Sequence, residues 1–90
     1  MARLKQSFHN ATDRSQIINL EPSAARFRLN PGETLALHYD SDEVQDQSAG
    51  AALRIDIVDA AGTPELSVWT FEDEMFFPDG RSAPRDYNPD

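Results

Sequence analysis

The chain has 90 residues, no cysteine, 39% hydrophobic residues and a net charge of −8 at pH 7. That length suits one domain with a single core, and the lack of cysteine excludes disulfide scaffolds, thiolate zinc sites, iron–sulfur clusters and cysteine catalysis. No run approaches the roughly 20 apolar residues of a membrane-spanning helix, and the negative field opposes direct nucleic-acid binding through phosphate contacts.

The predicted elements are almost all strands. Leu4, Gln6 and Phe8 alternate with Lys5, Ser7 and His9, which predicts a first strand. Asn10 to Ser15 supplies short polar side chains that bond back to nearby backbone in turns. The β-branched run Gln16–Leu20 predicts a second strand, closed by Glu21-Pro22. In the third, Ala25, Phe27 and Leu29 point one way and Arg26 and Arg28 the other. Asn30-Pro31-Gly32-Glu33 has proline at the second turn position and glycine at the third, the type II signature. Leu35, Leu37 and Tyr39 then alternate with Ala36 and His38, so the third and fourth strands are expected to form a hairpin.

From Asp40 to Gly50 only Val44 is a large apolar residue, a long acidic loop by the standard of hairpin connections. A fifth, half-buried strand is expected from Ala51, Leu53, Ile55 and Ile57, followed by a turn over Asp59–Pro64. Leu66 to Phe71 predicts a sixth strand with apolar residues on both faces, and Met75-Phe76-Phe77 a short seventh. No helix of normal length is supported. The fold class expected is all-β, a small antiparallel sandwich or barrel of about six or seven short strands. Residues 1–81 form its single domain, and residues 82–90, with two prolines, are expected to be an extended or frayed tail.

Charge is unevenly placed. Residues 1–30 carry five basic groups against two acids, a net +3, while residues 31–90 carry three against fourteen, a net −11. Arg26 and Arg28 share one strand face, where cross-strand pairing with acids such as Asp56 is the expected use, and Arg3 or Lys5 joins them if the first strand is adjacent. Acidic excess serves solubility, and it also favours a partner with a basic surface.

The search for chemistry returns few candidates. His9 and His38 fall on the polar side of their strands, without the spacing of a metal-ligand pair. No nucleophile turn of the Gly-x-Ser-x-Gly kind and no glycine-rich phosphate loop is present. Asp40, Asp42, Glu43 and Asp46 form an acidic loop with some of the oxygen donors a calcium site needs. Its sixth position is Gln45 where glycine is required and its twelfth is Ala51 where glutamate is required, so no metal or other cofactor is expected.

The least ordinary local composition is Glu72-Asp73-Glu74 between Trp69 and Phe71 on one side and Met75, Phe76 and Phe77 on the other. Aromatic anchors ringed by carboxylates suit an interface that selects a cationic partner. The candidate interaction residues are therefore Trp69, Phe71, Glu72, Asp73, Glu74, Phe76, Phe77 and Asp79. No catalytic residue is assigned. A non-enzymatic, cytoplasmic interaction module is expected, binding a protein partner through this acidic and aromatic surface or through a sheet edge, where a homodimer is also accommodated. One alternative is a phage-type inhibitor whose carboxylates mimic nucleic-acid phosphates, a resemblance to that group in composition only. Another is a small ligand- or metal-binding β-barrel.

Overall fold

The computed structural model describes residues 3–40 and 53–86. Six strands follow one another in the chain: β1 (Arg3–His9), β2 (Gln16–Glu21), β3 (Ala25–Leu29), β4 (Thr34–Asp40), β5 (Arg54–Ala60) and β6 (Thr63–Trp69). They form two sheets, and the described residues contain no helix and no closed barrel. β1 pairs antiparallel with β4 in the first sheet. The second has the order β3-β2-β6-β5, with β2 and β6 parallel and the other pairs antiparallel. The expected all-β sandwich is therefore the observed architecture.

The core lies between the sheets and follows from the alternation. Phe8, Leu35 and Leu37 face it from the first sheet, and Ile18, Leu20, Ala25, Phe27, Leu29 and Val68 from the second. Met75 is fully buried among them. Burying side chains of this size stabilises by about 1.5–3 kcal/mol each before conformational entropy is set against it.

Local turn chemistry explains the connections. Gly32 has φ 77° and the Glu33 amide donates to the Asn30 carbonyl at 3.0 Å, which is the expected type II turn. The strands on either side of it do not form a hairpin. β3 pairs with β2 and β4 with β1, so the turn carries the chain from one sheet to the other. The reason is Asn10, which is buried at the end of β1. Its backbone holds the turn, accepting from the Gly32 amide at 2.8 Å and donating to the Glu33 carbonyl at 3.0 Å. Its side chain donates to the Leu29 and Arg14 carbonyls at 2.9 and 2.6 Å and accepts from the Thr12 amide and hydroxyl. One residue thus clamps the ends of β1 and β3 with its side chain and the turn between sheets with its backbone.

The β5–β6 connection is tighter than expected. Only Ala61 and Gly62 lie between the paired residues Ala60 and Thr63, and both have positive φ, at 55° and 85°. That is the backbone of a type I′ hairpin, whose twist matches right-twisted strands. Met75–Phe77 is not a full strand. Phe76 makes isolated bridges with Ala36 on one side and Ser82 on the other, so it widens the first sheet without continuing it. Residues 82–86 then leave that sheet and run to the second, where the Asp86 amide donates to the Arg26 carbonyl at 2.7 Å.

Candidate functional site

The expected acidic and aromatic cluster is dispersed by the fold. Trp69 lies on the outer face of the second sheet, where its indole N–H donates to Asp56 at 3.1 Å and the Arg54 guanidinium sits 5.0 Å over the ring. Phe71 is 65% exposed just beyond β6. Phe76 turns to the outer face of the first sheet and stacks on His38 with ring centroids 4.7 Å apart. Phe77 packs against the core from its edge, covered by the Arg81 guanidinium at 4.8 Å. The aromatic residues point in several directions and share no single surface.

The carboxylates of this segment each have a partner. Glu72 pairs with Arg3 at 3.3 Å, Asp73 with Arg85 at 3.3 Å and Asp79 with Arg81 at 2.6 Å, while Glu74 accepts from the Ser82 hydroxyl at 3.4 Å. The Arg81 amide and guanidinium hold the Asp79 carboxyl below the usual carboxylate range. Asp40 ends β4, buried and opposite Arg3 in the register, and Asp42, Glu43 and Asp46 lie outside the described residues with the rest of the acidic loop. Among the described residues no group of three or more histidine, aspartate or glutamate side chains is placed to hold a metal ion.

Arginine pairing continues around the molecule. Arg28 donates to Asp86 at 2.7 Å, Arg26 lies 3.6 Å from Glu65, and Arg54 lies 3.2 Å from Asp56. Asp56 is not the partner of Arg26 or Arg28, because β6 and β2 separate β5 from β3. Nor does β1 bring Arg3 or Lys5 to that face, since it belongs to the other sheet. Every arginine except Arg14 is engaged with a carboxylate among the described residues. A cavity of about 300 Å³ between Arg28, Leu35, Phe77 and Pro84 is rimmed by charges that are already bonded.

The surface that remains unexplained is β5. Register places Ile55 beside Val68 and Ile57 beside Leu66, on the face that elsewhere forms the core. Yet Ile55 is 44% and Ile57 77% exposed, because the narrower first sheet does not reach over this strand. Val58, on the opposite face beside Glu65, is 39% exposed. The expectation of a half-buried strand is corrected here: β5 presents apolar side chains to both sides. It is also an end strand, hydrogen-bonded to β6 alone among the described residues. Sequence reasoning missed it as a surface because Ile55 and Ile57 alternate like core residues; only Val58, adjacent to Ile57, breaks the rhythm.

In comparison with known proteins, the chain matches no family model, no curated protein and no solved structure.

Proposed function

We propose that this protein is a non-enzymatic interaction module that receives an extended, basic segment of a partner protein along β5. The observation that carries the reading is the coincidence of a strand edge unpaired among the described residues with exposed Ile55, Ile57 and Val58. An unpaired edge offers a row of backbone donors and acceptors, and flanking apolar side chains supply the burial that β-augmentation needs. Charge selects the occupant: a net −8 repels a second copy and attracts a cationic strand. Asp59, exposed on β5 and without an ion pair to any arginine among the described residues, lies on that same strand. Phosphate mimicry by Glu72–Asp79 has less support, because Glu72, Asp73 and Asp79 are neutralised by adjoining guanidinium groups.

Titrating ¹⁵N-labelled protein with a soluble peptide of alternating valine and lysine tests the reading. Amide shifts along β5 are expected, lost in Ile57→Lys and weaker with a valine–glutamate peptide. An unchanged response from Ile57→Lys, or shifts centred on Trp69–Asp79, would overturn it. Sedimentation of the protein alone gives the competing outcome, a dimer joined at β5.

A further inference from the structure

The outer face of the first sheet carries a site unrelated to β5. Register sets Lys5 opposite His38, Ser7 opposite Ala36 and His9 opposite Thr34 on that face. Ser7 and Ala36 are small, so the sheet surface is low between taller neighbours. The turn after Phe77 forms a wall beside it, and the result is a concavity of about 200 Å³. Lys5, Ser7, Thr34 and His38 supply its polar lining, and Ala36, Phe77 and Pro78 its apolar lining.

Two features set this concavity apart in a chain with sixteen acids. Among the described residues no carboxylate lines it. Lys5, unlike every arginine but Arg14, has no ion-pair partner among the described residues. The remaining donors are positioned by their neighbours. Stacking on Phe76 fixes the His38 ring, and the His9 ring nitrogen lies 2.8 Å from the Thr34 hydroxyl. A smaller hollow of about 180 Å³ adjoins it, sharing Lys5 and His38 and bounded by Arg3, which Glu72 already neutralises.

We infer that this concavity binds a small organic oxyanion, a phosphate monoester with a compact apolar body. The ammonium of Lys5, the Ser7 hydroxyl and the His38 imidazole are donors from two adjacent strands, joined by the Thr34 hydroxyl when His9 Nδ1–H donates to it, and together they suit the several oxygens of a tetrahedral anion. Ala36, Phe77 and Pro78 give the apolar body an apolar seat. The net −8 of the whole chain lowers the affinity for any anion, so recognition rests on these local donors and on contact with the apolar wall.

Phenyl phosphate, titrated at constant ionic strength and followed by ¹H–¹⁵N correlation spectra, is the probe. Saturable shifts are expected at the amides of Lys5, Ser7, Thr34 and His38. Inorganic phosphate and benzoate should bind the same site more weakly, and benzyl alcohol should not saturate it. Lys5→Ala should weaken phenyl phosphate by about tenfold or more, while Lys5→Arg keeps most of the affinity. Arg14→Ala, which removes the other cation without an ion pair among the described residues, should leave it unchanged. Equal binding to wild type and Lys5→Ala, shifts that sodium chloride reproduces, or saturable binding of benzyl alcohol would each overturn the assignment.

Discussion

The two edges of the second sheet are built differently. At β3 the strand Ala25–Leu29 is flanked by the returning segment 82–86: Asp86 donates its amide to Arg26 and accepts from the Arg28 guanidinium. At β5 the described residues offer no such cover, and Ile57 stands 77% exposed. Exposed strand edges invite pairing with another chain, and proteins commonly blunt them with charge, proline or a covering segment. One edge here is sealed by a backbone hydrogen bond and an ion pair; the other is left apolar. The difference teaches that openness at β5 is local, since the same sheet has the means to close an edge.

The largest expected effect sharpens that contrast in energy. Leu20→Ala removes a fully buried side chain from the middle of the sheet and should cost about 2–5 kcal/mol in urea unfolding, whereas Ile57→Ala on the open edge should cost less than about 0.5 kcal/mol. A large loss at Ile57 would mean that the strand is buried in solution. Breaking the seal comes next. Arg28→Ala removes the partner of Asp86 and should destabilise by about 1 kcal/mol, less at high salt because the pair is partly exposed.

A smaller change acts on the open hairpin itself. Ala61 has φ 55°, in the left-handed region where a Cβ is disfavoured, and asparagine tolerates that region better. Ala61→Asn should raise thermal stability by an amount corresponding to roughly 0.5–1 kcal/mol without altering the β5 surface. The smallest effect concerns the exposed turn near Arg81. Asp79 is held below the ordinary carboxylate range, so the folded state favours its ionised form. The contribution is present above the ordinary range and is lost as pH falls through the lowered value. An NMR titration of the Asp79 carboxyl carbon should place its midpoint below that of an unstructured aspartate.

Much of the fold was legible in the residues, and the reasons it stopped being so are specific. Alternation located β1, β3 and β4, a β-branched run located β2, and Pro31-Gly32 announced a type II turn. A turn of that kind, however, looks the same whether its strands pair or separate into two sheets. The decision rests on buried Asn10, whose side chain reaches Leu29, 19 residues away, and whose backbone reaches Gly32 and Glu33 still farther along the chain. Parallel pairing of β2 with β6 is equally non-local. The aromatic residues do not gather on one surface, and hydrophobicity does not say which way a side chain turns. Phe76 and Phe77 are neighbours in sequence, yet one stacks on His38 outside and the other packs on the core. Nor does composition reveal that Glu72 meets Arg3, 69 positions away.

Native-state hydrogen exchange resolved by residue tests the contrast between the edges most directly. The Asp86 amide should be protected, because it is bonded to Arg26, while alternate amides along β5 exchange as freely as those of an unpaired strand edge. Rapid exchange at Asp86, or protection of every amide from Arg54 to Ala60, would contradict the account.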